Sequence, residues 1–285
     1  MTMIQRVSAV GQLVWTLPEA EPVRGVATLN NSLYVLRDKT TDQLEIYDTD
    51  NYRLQRRLTL TEARGFADLT SCDYYQQLYM SDPVLRCVHR LDARYTAKIW
   101  SVNEVPDCLS VSVVRNLLVT CCEVHKIKEF SSSGNYLRDI QLPGSVVSPR
   151  HAVESRTGGF IVCHGTSRSH GDPVHRVCKI SEDGRRVVQS HGGRRGSTID
   201  QFNRPHHLAL DDSEYVFVAD VFNRRVTLLS PTLHYFRPVV TRDDLKRWPG
   251  RLCLDVQRQR LYVTDNEVKE DRTPVGRVVV FNVWT

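Results

Sequence analysis

The chain has 285 residues, 41% of them hydrophobic and 25% charged, with a formal net charge of +5. That is enough apolar material for a packed core, yet no run approaches the roughly 18 apolar residues that a membrane-spanning helix needs, so no membrane partner is expected. The eight cysteines include no Cys-x-x-Cys pair, which argues against a zinc ribbon or a dithiol redox site.

The first 21 residues, MTMIQRVSAVGQLVWTLPEAE, lack a continuous apolar stretch and a small-residue cleavage site, so no secretory signal is expected. The cysteines agree, because most fall inside apolar alternations, where a free thiol acts as a small buried hydrophobe. A reduced, cytoplasmic protein is the expectation. Within this stretch, residues 11–17 read as a strand with Leu13, Trp15 and Leu17 on one face.

From Val23 onward one pattern recurs six times. Its most regular copy runs from Gly192 to Leu228: a Gly/Arg-rich segment, an apolar alternation at Leu208 and Leu210, a DDSE turn, and a strand ending Val218-Ala219-Asp220. The corresponding strands end as Tyr34–Arg37, Tyr79–Asp82, Leu118–Cys121, Ile161–His164, Phe217–Asp220 and Tyr262–Asp265, at spacings of 45, 39, 43, 56 and 45 residues. Period-two alternation cut by Gly, Pro, Asn and Asp marks short antiparallel strands. Four strands per unit at this period predict an all-β, six-bladed β-propeller, one domain over residues 1–285.

The units begin near Pro22, Gly65, Pro106, Pro149, Pro205 and Pro249, where Pro precedes a strand that cannot use it internally. The sixth unit has only three strands of its own, the third being Gly276–Phe281. The strand around Leu13–Leu17 is therefore expected to supply the fourth and close the ring, which removes an open sheet edge.

The segments GGRRGSTIDQFNRP and VFVADVFNRRV resemble an NHL repeat, the type found in the C-terminal propellers of the tripartite-motif ubiquitin ligases. The resemblance implies a non-enzymatic recognition module that binds single-stranded RNA on a basic face of the propeller. The RING, B-box and coiled-coil segments of those ligases do not occur in these residues, so no ubiquitin transfer is expected. A monomer without cofactor is expected, with single-stranded RNA or a protein partner on the loop-rich face; a protein-interaction scaffold and a metal-dependent lyase or lactonase are the alternatives.

The basic residues have a bias that suits the RNA reading, since 31 of the 38 are Arg and a planar guanidinium both pairs with phosphate and stacks on flat rings. The candidate RNA contacts lie where the loops of one face converge. Arg194, Arg195 and Arg204 sit on the connection 189–205, and Arg168 and His170 on the preceding loop. Arg150, His151, His206, His207 and Arg251 stand at the starts of neighbouring units.

Two columns of polar residues bear on chemistry. Asp82 with Arg86, Asp220 with Arg225 and Asp265 with Arg277 read as carboxylate–guanidinium braces; units one, three and four lack the acid, which leaves Lys126 and Arg176 free for a ligand. The second column, Arg24, Asp68, Cys108, His151, His207 and Arg251, lies at the channel mouth. Its imidazoles and thiol suit zinc, but only Pro205-His206 matches the repeated Pro-His pairs of the propeller lyases, so no metal is expected. No G-x-S-x-G elbow is present, and GGRRG precedes no helix that would cradle a phosphate, so its glycines read as φ > 0 turns.

Overall fold

A computed structural model describes residues 11–38, 43–61, 65–165 and 174–283. Strand β1 (Gln12–Thr16) stands ahead of the first unit. Blade one is β2 (Val23–Leu29), β3 (Ser32–Arg37), β4 (Gln43–Asp48) and β5 (Leu54–Thr59). Blade two is β6 (Asp68–Cys72), β7 (Gln77–Asp82), β8 (Cys87–Leu91) and β9 (Ala97–Ser101). Blade three is β10 (Cys108–Val111), β11 (Leu117–Cys121), β12 (Lys126–Phe130) and β13 (Tyr136–Gln141). Blade four is β14 (Pro149–Glu154), β15 (Phe160–Gly165), β16 (Val174–Ile180) and β17 (Val187–Arg194). Blade five is β18 (Pro205–Leu210), β19 (Val216–Asp220), β20 (Arg225–Leu229) and β21 (Tyr235–Val240), and blade six adds β22 (Trp248–Asp255), β23 (Arg260–Val268) and β24 (Pro274–Asn282).

These form six four-stranded antiparallel sheets, and the sixth is completed by β1 in the order β1-β24-β23-β22. Leu13 pairs with Phe281, Trp15 with Val280 and Thr16 with Val279, so the strand closes the ring as expected, but a bulge between Leu13 and Trp15 breaks the expected alternation and leaves both exposed, with only Leu17 buried. The buried Arg37 fastens the same seam, donating to the Glu21 and Gly276 carbonyls at 2.9 and 2.8 Å.

The core is six apolar layers, each between two neighbouring blades. Phe217, Val226 and Leu228 of blade five pack on Leu252, Leu261 and Phe281 of blade six, and Leu118 and Ile127 of blade three on Phe160 and Val162 of blade four. The second and third strands lie between two such layers, so they read as nearly continuous apolar runs, VFVAD being wholly buried. The fourth strands are sheet edges in water and carry charge instead, as in LQRRLT.

The upper face carries the loops between second and third strands and the connections between blades; the lower face carries the other turns. On the upper face the Gly/Arg stretch differs from expectation. Gly192, Gly193 and Arg194 continue β17, pairing with Arg176, His175 and Val174, so the free connection shortens to 195–204. Of its glycines Gly192 has φ +94, where a Cβ would meet the His175 carbonyl oxygen at 2.5 Å. Arg168 and His170 lie outside the described residues.

Candidate nucleic-acid interface at the upper mouth of the channel

The innermost strands stand side by side around the channel but belong to separate sheets and do not pair, so their inward edges need side-chain partners. Asp68 Oδ2 accepts the Leu109 N–H at 2.8 Å, His151 Nδ1 the Leu208 N–H at 3.1 Å and His207 Nδ1 the Leu252 N–H at 3.3 Å. His151 Nε2–H then donates to the Leu109 carbonyl at 3.0 Å. Because both Nδ1 atoms accept, each imidazole is the neutral Nε2–H tautomer.

Asp68, His151 and His207 bring potential metal-ligand atoms within 4.8 Å of one another. The donor set is poorly suited to a metal, since His151 spends both nitrogens and His207 its Nδ1 on backbone. Asp68 faces His207 Nε2 at 3.6 Å and the Arg251 Nε at 2.8 Å. Burial raises a carboxyl, but the Arg251 charge, followed by His207, holds Asp68 well below the usual carboxylate range. Burial drives His151 and His207 the other way, well below the ordinary imidazole value for His151.

Above this layer the first strands of blades one, four, five and six each carry a β-bulge. Register slips between Val23 and Gly25, Pro149 and His151, Pro205 and His207, and Pro249 and Leu252. The extra residues are Arg24, Arg150, His206 and the pair Gly250-Arg251. A bulge re-aims the residue it inserts, and here it delivers basic side chains to one mouth, while His151 and His207, the next residues of blades four and five, turn to the layer below.

Arg24, Arg204, His206, Phe222, Trp248 and Arg251 line a cavity of about 460 Å³ there. Arg24 is paired with Asp38, its Nε at 2.8 Å from Oδ2. Arg251 donates to His206 Nδ1 at 2.8 Å and to the Ala67 carbonyl at 2.6 Å. Arg150 and Arg204 form no ion pair among the described residues; burial raises the Asp107 carboxyl, and the Cys122 N–H and then the Arg150 charge oppose that rise. Burial lowers the Arg204 pKa, and so do the charges of Arg150 and Arg251. Burial and the charges of Arg251, Arg204 and Arg150 push His206 well below the imidazole range, so it is neutral.

The connection bearing Arg204 is fixed by the blade-five brace. Asp220 accepts the Asn203 N–H at 2.7 Å and the Arg225 Nε–H at 2.8 Å, while the Arg225 guanidinium reaches the Ser197, Thr198 and Gln201 carbonyls. Asp265 and Arg277 repeat the pair at 2.9 Å in blade six. Blade two departs from the expectation: Arg86 sits in the turn at φ +52, and Cys87 takes the rung opposite Asp82. Its thiol lies 3.3 Å from His89 Nε2, and burial followed by the Asp82 charge pushes it up to about 11. Lys126 is not free either, since it pairs with Asp139 at 3.0 Å.

Of the ten candidates, Arg150, Arg204, His206 and Arg251 converge at the mouth. Arg195 is exposed and close enough to His175 for its charge, after burial, to lower that imidazole; Arg194 is exposed at the end of β17. His151 and His207 are corrected to the buried layer, 2% and 6% exposed, where they brace the backbone and cannot stack on a base. Sequence reasoning missed two aromatics: Phe222, 45% exposed with the Arg204 guanidinium 5.2 Å from its ring centroid, and Trp248, with Arg247 at 4.9 Å. The lower face differs in sign. There a cavity of about 550 Å³ has Asp73, Glu154, Asp211 and Glu214 around it, with Arg156.

No protein-family model and no curated protein sequence matches the chain. Among solved structures it is similar to the Kuenenia stuttgartiensis hydrazine synthase (TM-score 0.62, 12% identity, 85% of this chain on 92% of that one). It is similar also to virginiamycin B lyase from Staphylococcus aureus (TM-score 0.57, 8% identity, 93% on 98%). A chain of a nidogen–laminin complex is a third (TM-score 0.61, 15% identity, 81% on 85%). At such identities the likeness shows the fold alone: the chain is a six-bladed β-propeller.

Proposed function

We propose that this propeller is a non-enzymatic recognition module that binds single-stranded RNA across its upper face. The observation that carries the reading is the basic and aromatic lining of the upper-mouth cavity, where Arg204 forms no ion pair among the described residues and lies 5.2 Å from the ring centroid of the exposed Phe222, with Trp248 beside them. Phosphate-directed Arg interleaved with aromatic faces is how proteins hold single strands, by charge along the backbone and by stacking on splayed bases. Binding without catalysis is supported by the buried imidazoles, which are neutral and committed to backbone, and by thiols such as Cys178, pushed up to about 12 by burial.

The test is fluorescence anisotropy of a labelled random-sequence RNA at low salt. Wild-type protein should bind with a dissociation constant below about 100 μM, the weak limit of non-specific nucleic-acid binding. Changing Arg150 and Arg204 together to Glu should weaken it and reduce its salt dependence. No salt-sensitive RNA binding by the wild type would hand the face to a protein partner.

A further inference from the structure

Blade two replaces the brace of its neighbours with a set of metal-ligating side chains. In blades five and six an Asp ends the second strand and an Arg stands on the rung opposite, Asp220 with Arg225 and Asp265 with Arg277. In blade two the rung opposite Asp82 holds Cys87. Residues two apart on a strand share a face, so His89 lies on the same face of β8 as Cys87. The spacing is Asp-x4-Cys-x-His, and all three residues are buried, 0%, 5% and 4% exposed. On the rung below, Met80 faces His89 and joins the apolar layer between blades one and two, while Phe66 sets its ring edge-on to the imidazole, 4.9 Å between centroids.

Cys87 Sγ lies 3.3 Å from His89 Nε2, and that nitrogen lies 3.6 Å from Asp82 Oδ2. One donor atom from each residue falls within 4.8 Å of the other two. A tetrahedral zinc ion has bonds of about 2.3 Å to sulfur and about 2.0–2.2 Å to imidazole nitrogen or carboxylate oxygen, which sets its ligand atoms about 3.3–3.7 Å apart. The separations in blade two match those edges, and 3.6 Å is longer than the roughly 2.7–3.2 Å of an N–H···O hydrogen bond. Asp82 Oδ1 accepts the Leu85 N–H at 2.9 Å, which holds the carboxylate with Oδ2 toward His89. Thiolate with imidazole selects zinc over calcium or magnesium, which take oxygen. His164 and Cys178 make a similar pair in blade four, 3.2 Å apart, but no third ligand group joins them among the described residues.

We infer that Asp82 Oδ2, Cys87 Sγ and His89 Nε2 hold a zinc ion that takes the place in blade two of the arginine in blades five and six. A water completes the tetrahedron. Zinc enters as the Cys87 S–H bond breaks and the proton passes to solvent, and His89 keeps its own proton on Nδ1. The ion fastens the turn that joins β7 to β8, whose Val84, Leu85 and Arg86 are exposed on the upper face. This donor set lies outside the channel column on which the expectation of no metal rested, and its bracing role is independent of RNA recognition.

The experiment loads the full chain with Zn²⁺, dialyses it against metal-free buffer and measures zinc by mass spectrometry. Metal-free protein is also titrated with Co²⁺, whose bond to a thiolate gives a charge-transfer band in the near ultraviolet. Wild-type protein should keep about one zinc per chain and show the band, which added zinc should bleach. Cys87→Ala should lose the band. His89→Gln should weaken zinc binding by at least about tenfold, the loss that even the outer partners of a metal ligand produce. Cys178→Ala, at the blade-four pair, should keep both zinc and band. Because ligand variants can fail to fold, the wild type is also alkylated with iodoacetamide and mapped by peptide mass: zinc should slow the reaction of Cys87 and leave that of Cys178 unchanged. Folded wild type without zinc or band overturns the inference and leaves a hydrogen-bonded thiol–imidazole pair. A band that persists in Cys87→Ala, or a Cys87 alkylation rate indifferent to zinc, overturns it as well.

Discussion

The imidazoles of His151 and His207 lie ring on ring, 3.8 Å between centroids and 10° apart, each accepting a backbone N–H from the next blade. They are fasteners between neighbouring sheets, placed at the channel beside the apolar layers. Replacing His151 by Leu keeps the bulk but leaves the Leu208 N–H and the Leu109 carbonyl buried without partners. At about 1–3 kcal/mol for each orphaned group, unfolding in urea should show a loss of about 2–6 kcal/mol with an unchanged m-value. A neutral result would mean that water replaces the ring.

The same burial makes stability depend on pH. Burial holds His151 and His206 well below, and His207 below, the ordinary imidazole value, and sets His164 at about 4. In the unfolded chain these groups protonate near pH 6.5. Their folded pKa values are depressed, so the stability they contribute is complete above pH 6.5 and is lost as pH falls toward the folded values. The slope is about 1.4 kcal/mol per pH unit for each proton taken up on unfolding. Urea midpoints should therefore fall steeply between pH 7 and 5, above the range in which carboxylates titrate. A flat profile down to pH 5 would contradict the burial of these rings.

Ring closure makes a third prediction. Leu17 is 1% exposed and its N–H donates to the Val278 carbonyl at 2.9 Å, so it holds β1 onto β24. Leu17→Ala should cost about 2–5 kcal/mol, the range for buried Leu. Deleting residues 1–18 uncovers the whole β24 edge and should lower the thermal midpoint and the soluble fraction. Unfolding of the truncated chain at the temperature of the full one would show that β1 contributes nothing.

The fold was legible because a blade imposes its period on the sequence: second strands ending in Asp or its stand-ins recur near every 45 residues. The braces in blades five and six were legible for the same reason. Blade two was not, because its turn repeats that of blade five, with Arg86 at the positive-φ position of Arg224, so the residue opposite Asp82 is Cys87 and the brace has no arginine. The site was half legible. Arg150 and His151, or His206 and His207, are adjacent in sequence and differ only in which side of a bulge they occupy, and a one-residue slip exchanges channel and mouth. The repeated spacing of Pro149-Arg150-His151 and Pro205-His206-His207 carried that signal. Phe222 escaped notice because it follows the repeat's Asp220 in a turn, where alternation no longer says which way a side chain points.

The last prediction concerns which face meets RNA. The upper mouth gathers Arg150, Arg204 and Arg251, with Arg194 and Arg195 beyond it, whereas the lower cavity is ringed by Asp73, Glu154, Asp211 and Glu214. A strand that lies on the upper face and meets three or four of these Arg side chains releases counterions from as many phosphates. At about 0.7 per contact for a single strand, the logarithm of affinity should fall with the logarithm of salt at a slope of about −2 to −3. Charge reversal at Arg150 and Arg204 together should reduce that slope by about 1.4, two contacts' worth. Arg115 provides the control, because it sits in a lower-face turn over the ring of Tyr74, 4.1 Å from its centroid. Arg115→Glu changes the net charge by as much per residue, and should leave both affinity and slope unchanged. Equal weakening by Arg115→Glu would mean that net charge alone, and not the upper mouth, governs the interaction.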